Sequence, residues 1–466
     1  MTACRRFFET EFILKLTKNM RLEMTVEAFG ADGEGVCHHE GMTVFVPRAL
    51  PGEKITAQIT RVEKRYAFAR VVGLLSVSPD RVDPVCPYAR MCGGCSCQHM
   101  SYDAQLRFKY SQVEGCMRHI AGLDVPVQPV IGMDEPWYYR NKIAVPVSGT
   151  AKEPLIGYYA PRSHRVVDAK QCLLARTEGN LAIATVRQWM IDCGVAPYDE
   201  ITHRGLVRHI MVRSGRAGEV MVVLVINAAK LPHEQELIAA LQSKVPGLVS
   251  VCVSVNQRPD NVILGDSYRV LWGAERLHDT LCGNDFMLSP LSFFQVNPEQ
   301  TEKLYRTALD FARVGGTETV ADVYCGAGTI TLMLARHAAR VIGIEIVPDA
   351  IRDAKKNAEL NGIENAQFYC GAAENILPEL VEQGLRPDVV VLDPPRKGAD
   401  EAVLQAIAVA KPERVVYISC NPATQARDAK ILCTLGYRAE TCRPVDMFCQ
   451  TSGIENVMLF VRTGEE

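Results

Sequence analysis

No run of apolar residues in the 466-residue chain approaches the ~18 that a membrane-spanning helix needs, which excludes a helical membrane protein. The N-terminal segment also lacks the apolar stretch of a secretory signal, because Arg5, Arg6, Glu9, Glu11 and Lys15 break it up. Residues 1–19 read instead as a leader, poorly ordered, with Met20 as a natural start. With neither signal nor span, the expected location is the cytoplasm. There is no internal repeat and no low-complexity tract. Nor is there an excess of one charge: the formal net charge is −3, so bulk electrostatics gives no nucleic-acid signal. Any RNA contact must come from local basic patches. The balance of 48% hydrophobic and 23% charged residues is that of an ordinary globular protein. At ~150 residues per domain the length accommodates about three domains.

Cysteine, by contrast, is abundant, with 17 residues, an odd count, mostly scattered singly through apolar segments. A reducing compartment disfavours structural disulfides, which leaves buried thiols, metal ligands and catalysis. One cysteine stands apart. Cys420, in Ser419-Cys420-Asn421-Pro422, follows the apolar run Arg414–Ile418 and precedes a turn-forming Asn-Pro. That is the mouth of a strand, where α/β enzymes place reactive groups. The position argues for a nucleophile over a small buried hydrophobe.

Three regions follow from the patterning. Residues 20–78 alternate apolar and polar positions between Gly and Pro turns, with strands expected at 22–27, 42–47 and 53–59, and read as a small five-stranded OB-like barrel. Its last part carries Arg61, Lys64, Arg65 and Arg70 among Tyr66 and Phe68, a pattern that fits RNA phosphates and stacked bases. The bland alternative is a solvated strand with core-facing aromatics. Residues 79–280 form a central α+β domain containing a cysteine cluster. It includes a helix near 102–120, with Leu106, Tyr110, Val113, Met117 and Ile120 on one face, that can pack on the catalytic domain, and a helix over 180–191. Residues 281–466 alternate helix and strand, with strands expected at 320–323, 340–346, 367–370, 388–392, 414–419 and 456–461. This is the signature of a doubly wound, Rossmann-like sheet. The fold class is multidomain α/β.

The first strand of that sheet runs into Asp322-Val323-Tyr324-Cys325-Gly326-Ala327-Gly328-Thr329. A dinucleotide fingerprint wants a third glycine where Thr331 stands, and no Gly-Lys-Ser/Thr phosphate loop is present. A cofactor without a pyrophosphate, such as S-adenosylmethionine, suits what remains. Glu345 closes the next strand, where a carboxylate can bond both ribose hydroxyls. Asp393-Pro394-Pro395-Arg396 ends the fourth strand. Enzymes that methylate exocyclic amines usually follow Asn/Asp-Pro-Pro with an aromatic residue. Arg396 therefore argues against amino-group methylation and leaves room for an anionic or enolate-bearing substrate.

Gln295 in Ser292-Phe293-Phe294-Gln295-Val296-Asn297, the 322–328 loop, Asp393–Arg396 and Ser419–Pro422, taken together and in order, resemble the RNA uracil-5-methyltransferases. The resemblance covers most of the chain, and the N-terminal barrel resembles that family's TRAM domain. It implies that Cys420 adds to carbon 6 of a uracil, which makes carbon 5 nucleophilic toward the methyl of S-adenosylmethionine. It implies that Glu455 is the base that removes the carbon 5 proton, and that Gln295, Tyr324, Glu345 and Asp393 contact the cofactor. Arg396 then helps to hold the flipped uracil or a phosphate. The family usually has a histidine two residues before the glutamate. Gly453 stands there in this chain, so no imidazole role carries over. Tyr139-Arg140-Asn141-Lys142 resembles a family segment and is read as an RNA or substrate contact, against a solvated turn.

Cys86, Cys92 and Cys95 are spaced five and then two residues apart, and Gly93-Gly94 lets the chain wrap a compact centre. Cys97 is a further thiol close by. Cys172 matches the family's distant fourth ligand, and the group resembles that of the 23S ribosomal RNA branch. Four thiolates suit a [4Fe–4S] cluster or a structural zinc. The missing second Cys-x2-Cys pair speaks against a zinc ribbon. The resemblance favours the cluster, in a structural role. Transfer RNA enzymes of the family generally lack both barrel and cluster, so large-subunit ribosomal RNA is the expected partner. No membrane contact is expected, and nothing in the sequence requires more than a monomer. An RNA-binding or ribosome-assembly factor of the same fold, with weak or no catalysis, is the competing reading.

Overall fold

The computed structural model describes residues 16–464. They form two compact units, one made of the chain up to Val85 together with Ser96–Phe108, the other of Cys86–Cys95 and Lys109 onward. Residues 1–15, most of the expected leader, lie outside the described residues. The leader's last residues belong to the first unit: Leu16 is buried in its core, and the Asn19 amide donates to the Ile59 carbonyl at 2.8 Å.

In the first unit, β1 (Arg21–Thr25), β2 (Ala28–Phe29), β3 (Gly35–His39), β4 (Met42–Val46), β5 (Lys54–Val62) and β6 (Tyr66–Ser76) form one sheet in the order β1-β5-β6-β4-β3-β2. Five strands were expected; the sixth is the two-residue β2, too short to leave a pattern. Strand alternation sends Ala67 and Ala69 inward against Ile55, Ala57 and Ile59. Tyr66, Phe68 and Arg70 therefore share the opposite face. Phe45, Tyr66 and Phe68 pack ring to ring there at 5.6–5.9 Å, and Tyr66 is 40% exposed. The aromatics do not face the core.

Helix α1 (Tyr102–Cys116) continues into a π turn, Met117–Ala121, that ends at Gly122 in the left-handed region. Val113, Met117 and Ala121 join the apolar core of the second unit, whereas Ile120 is exposed. The expected stripe ends one residue late because the wider turn shifts the face.

The second unit holds two larger sheets. In the first, β7 (Lys142–Gly149), β8 (Pro154–Tyr159), β9 (Val166–Asp168), β10 (Val207–Ser214), β11 (Val220–Ile226), β12 (Leu248–Val255) and β13 (Tyr268–Gly273) are ordered β13-β12-β11-β10-β7-β8-β9. Helices α2 (Thr177–Asp192) and α3 (Glu234–Lys244) cover it through residues such as Val186, Trp189, Leu237 and Leu241. Helix α3 was not anticipated, since eleven residues with three buried apolar positions leave little periodicity. The hairpin β14 (Leu277–Leu281) and β15 (Asn284–Leu288) crosses residue 280, and Phe286 and Leu288 join the next core.

After α4 (Pro298–Ala312) come β16 (Thr319–Val323), α5 (Thr329–Ala335), β17 (Arg340–Glu345), α6 (Pro348–Leu360), β18 (Ala366–Cys370), α7 (Ala373–Glu382), β19 (Val389–Leu392), α8 (Glu401–Ala410), β20 (Arg414–Ser419), α9 (Pro422–Thr434), β21 (Tyr437–Val445) and β22 (Glu455–Arg462). Their sheet runs β18-β17-β16-β19-β20-β22-β21. The first five strands are parallel, β22 runs antiparallel to β20, and β21 runs antiparallel to β22. Both faces are covered: Val389, Val391 and Val416 belong to one core, and Val390, Leu392 and Val415 to the other. That explains why these strands read as continuous apolar runs. The chain order reverses between β16 and β19, and the carboxyl ends of two such strands are where open α/β sheets bind ligands.

Candidate active site

The end of β16 is backbone-strained. Tyr324 sits at φ 71°, a left-handed conformation costly for a bulky side chain. Gly326 (φ 56°) and Gly328 (φ 84°) continue the turn, and a Cβ on Gly326 would meet nothing within 4 Å. The loop thus offers open backbone for a ligand to approach. Glu345 braces it, one carboxylate oxygen accepting the Gly326 N–H at 3.1 Å and the other the Val347 N–H at 2.9 Å. Beyond Glu345, Ile346 and Val347 are exposed apolar residues. Asp322 lies beneath the loop, fully buried, and accepts the Thr331 hydroxyl at 2.5 Å. Burial raises its carboxyl to about 7, against that hydrogen bond and with a smaller push from Glu345.

Asp393 follows β19, its amide bonded to the Val323 carbonyl at 3.3 Å. Its carboxyl is pushed up by burial and then by Asp322. Cys420 follows β20. Asn421 caps α9, its side chain accepting from the Ala423 and Thr424 amides, with Pro422 in the first helical position. The Asn-Pro after the thiol is therefore a helix start. The same cap ties two loops together, because Asn421 Nδ2 donates to the Arg396 carbonyl at 3.1 Å and the Thr424 hydroxyl donates to it at 3.3 Å. Cys420 is half-buried. Burial pushes its thiol up, as do Glu455 and Asp393, whereas a hydrogen bond and the charge of Arg396 pull it down.

Glu455 opens β22. That strand pairs antiparallel with β20 in the register Ser419 to Asn456, so the start of one strand lies beside the end of the other. Residues 35 positions apart in sequence thus share one end of the sheet. The carboxyl of Glu455 is buried and held well above its ordinary range by burial and then by Asp393, with Arg396 opposing. Cys420, Glu455, Asp393 and Arg396 form one electrostatic group. Where the family's histidine would stand the space is tight: a Cβ on Gly453 would come within 3.1 Å of the Phe448 ring, which would have to shift by a few tenths of an ångström.

Gln295 lies in the segment before α4. Asn141 fixes that segment, donating its side-chain N–H to the Gln295 carbonyl (3.1 Å) and its amide to the Val296 carbonyl (2.9 Å). Tyr139 is buried, and its hydroxyl donates to the Cys449 carbonyl at 3.0 Å. Tyr139 and Asn141 are therefore neither an exposed RNA contact nor a solvated turn. They brace the Gln295 segment and the 446–454 loop from inside.

Comparisons with known proteins give the family. The tRNA (Uracil-5-)-methyltransferase family profile matches residues 284–463, and the TRAM domain profile matches residues 15–72. An uncharacterized RNA methyltransferase of Halalkalibacterium halodurans is 48% identical over 95% of this chain and 97% of its own. The chain belongs to the RNA uracil-5-methyltransferase family. A similar relative in Listeria innocua is 46% identical over 95% of this chain and 98% of its own. Among solved structures, the Pyrococcus abyssi tRNA (uracil-54, C5)-methyltransferase in complex with S-adenosyl-L-homocysteine superposes with a TM-score of 0.76 at 28% identity, covering 94% of this chain and 99% of that one. The enzyme thus has a TRAM domain and a Rossmann-like methyltransferase domain, and among its described residues no helix is long and apolar enough to cross a membrane.

The cysteine group of the enzyme is less complete than expected. Burial and then Cys172 push the Cys86 thiol up, burial and then Cys172 and Cys86 push the Cys92 thiol up, and the Cys92 sulfur accepts the Gly94 N–H at 3.3 Å. Asn180 brackets Cys172, accepting its N–H at 2.8 Å and donating to its carbonyl at 3.0 Å. Among the described residues, however, no three or more Cys, His, Asp or Glu side chains converge as a metal cage. Cys97, the extra thiol, is fully buried and lies in the other unit.

Two features escaped the sequence reading. The contact between Arg396 and the nucleophile left no local signal, because the fold alone joins the two loops. The second is Lys109, a fully buried lysine in α1 whose partner is Asp446. A lysine directly after the apolar Phe108, on a helix read as amphipathic, was the available clue.

Proposed function

We propose that the enzyme methylates carbon 5 of a uridine in 23S ribosomal RNA, with Cys420 as nucleophile and Glu455 as base. The register that sets the start of β22 beside the end of β20 carries this reading, since it brings a thiol and a carboxyl to one electrostatic group at the mouth of the sheet. Bound S-adenosylmethionine supplies an electrophilic methyl group, and Gln295, Tyr324, Glu345 and Asp393 would hold it. The open backbone at Gly326 and the exposed apolar pair Ile346 and Val347 beside Glu345 fit a ribose and an adenine face. The Pyrococcus enzyme, solved in complex with S-adenosyl-L-homocysteine, supports S-adenosylmethionine as the cofactor.

The chain's own residues account for the remaining steps. Arg396 and the N-terminus of α9 favour the Cys420 thiolate. The thiolate forms a bond to carbon 6, and the displaced ring electrons make carbon 5 the nucleophile that takes the methyl. Glu455 then accepts the carbon 5 proton, the 5,6 double bond reforms and the Cys420 sulfur leaves. The exposed Arg61, Lys64, Arg65 and Tyr66 edge of the first unit supplies phosphate and base contacts for the RNA.

A 5-fluorouridine RNA tests the mechanism. With no removable proton, it should trap the methylated complex on the Cys420 peptide. Absence of an adduct with wild-type protein, cofactor and cognate RNA would overturn the reading. The target class is tested by offering 23S fragments and tRNA transcripts in competition. A tRNA uridine is the second reading, favoured by the Pyrococcus enzyme, which aligns over almost its whole length with this chain. That alignment removes the TRAM domain as a discriminator, and the choice of ribosomal RNA rests on the sequence resemblance of the cysteine group.

For that group we propose a structural [4Fe–4S] cluster held by Cys86, Cys92, Cys95 and Cys172. The neighbouring thiols of Cys86, Cys92 and Cys172 fit such a centre, as does the tight turn at Gly93, where a Cβ would meet the Tyr159 carbonyl at 2.8 Å. Bound metal would tie the 86–95 segment to Cys172. Iron and sulfide analysis after anaerobic purification decides; stoichiometric zinc without iron would replace the cluster by zinc.

A further inference from the structure

The segment between β21 and β22 has no regular structure, yet four of its carbonyls in succession are held from outside. Gln300 Nε2 donates to Asp446 O at 3.1 Å, and Asn297 Nδ2 donates to Met447 O at 3.1 Å. Lys109 Nζ donates to Phe448 O at 3.2 Å, and the Tyr139 hydroxyl donates to Cys449 O at 3.0 Å. Lys109 also pairs with the Asp446 carboxylate, and both side chains are fully buried. The Thr451 hydroxyl donates to Phe448 O at 2.7 Å and accepts the Gly453 N–H at 3.2 Å, while the Phe448 ring fills the space beside Gly453. A chain of contacts therefore runs from Lys109 through Phe448 to Gly453, two residues before Glu455. A buried cation with one carboxylate and one carbonyl fixes direction as well as distance. Loops are ordinarily mobile; this one is built as a rigid strut.

We infer that Lys109 is a positioning residue that sets the Glu455 carboxylate for removal of the carbon 5 proton, acting through Asp446 and Phe448. The inference rests on Glu455 being the base. In the step concerned, the C5–H bond breaks toward a Glu455 oxygen, its electron pair becomes the 5,6 double bond, and the bond from carbon 6 to the Cys420 sulfur breaks. Addition of Cys420 and methyl transfer precede this step.

The two stages are measured separately: adduct formation on 5-fluorouridine RNA for the first, tritium release from 5-tritiated uridine RNA for the second. In Lys109→Met the adduct should form within about twofold of the wild-type rate. Tritium release should slow about 10- to 100-fold, the loss expected for a ~1 Å displacement, and covalent protein–RNA complex should accumulate on ordinary uridine. Tyr139→Phe, which removes one hydroxyl and keeps the ring, should slow release about three- to tenfold in the same sense. It decides the matter if Lys109→Met does not fold. Wild-type tritium release in a folded variant overturns the inference, as does an equal slowing of both stages. If wild-type protein forms no adduct, the mechanism itself fails, and the inference with it.

Discussion

Cys420 and the Cys86, Cys92, Cys95 and Cys172 group were both picked out by cysteine spacing and context, yet the fold treats them differently. Around Cys420 every element contributes something chemical: a helix start, the Arg396 guanidinium and the Glu455 carboxyl across an antiparallel register. Around Cys86 and Cys92 the main influence is burial, offset by backbone N–H bonds, and the thiols do not close into a cage among the described residues. A nucleophile's surroundings are made of protein and fold with it. A metal centre's final geometry is fixed in part by the metal.

The largest effect should separate the two at once. Cys420→Ala should lower methylation by at least about 10,000-fold, as loss of a covalent nucleophile does. Cys442→Ala, a buried thiol in β21 of the same sheet, should keep most activity. Equal losses would dissolve the distinction. Next comes Glu455→Gln. It should still form the 5-fluorouridine adduct, yet slow turnover about 100- to 10,000-fold, with covalent complex building up on natural uridine. A variant that loses the adduct as well would place Glu455 in the addition step.

The contrast also explains what sequence alone could read. Six of the seven strands of the catalytic sheet were expected, because a parallel sheet covered on both faces leaves apolar runs. The seventh, β21, mixes Arg438, Glu440, Thr441 and Arg443 with apolar positions and is only partly buried, so its pattern is weak. Cys420 was visible from its strand-end position, and the resemblance alone supplied Glu455. No local pattern joins Glu455 to Cys420, since their neighbourhood depends on β22 running antiparallel. Tyr139 and Asn141 read as an RNA or substrate contact or a solvated turn because a basic, polar string is usually exposed; both are buried, and the backbone carbonyls of two loops accept their donors.

A smaller effect sharpens the electrostatic side of the comparison. Arg396 pulls both the Cys420 thiol and the Glu455 carboxyl down. Arg396→Met should therefore raise both, reduce the thiolate present at neutral pH, and slow adduct formation about 10- to 100-fold. The sign is fixed: with the cation gone, a higher pH is needed for the same thiolate fraction, so the pH profile of adduct formation moves upward. A slower rate with an unmoved profile would make Arg396 a substrate-holding residue, as the sequence resemblance had it.

The mildest change should be in the cysteine group, and it tests whether that group is a site at all. Cys172 is tied by Asn180 on its backbone, so a serine there keeps both of those hydrogen bonds. If the four thiols hold a common centre, Cys172→Ser removes one ligand and with it the link between the 86–95 segment and the start of α2. The thermal midpoint should then fall by at least about 5 °C, and iron should be lost with it. Methyl transfer by the folded fraction should stay within about threefold of wild type, because none of the reacting groups touches Cys172. An unchanged midpoint and metal content would make these cysteines ordinary half-buried thiols. A large loss of methyl transfer at unchanged stability would instead put the group in the path of the RNA, and the contrast with Cys420 would become one of degree.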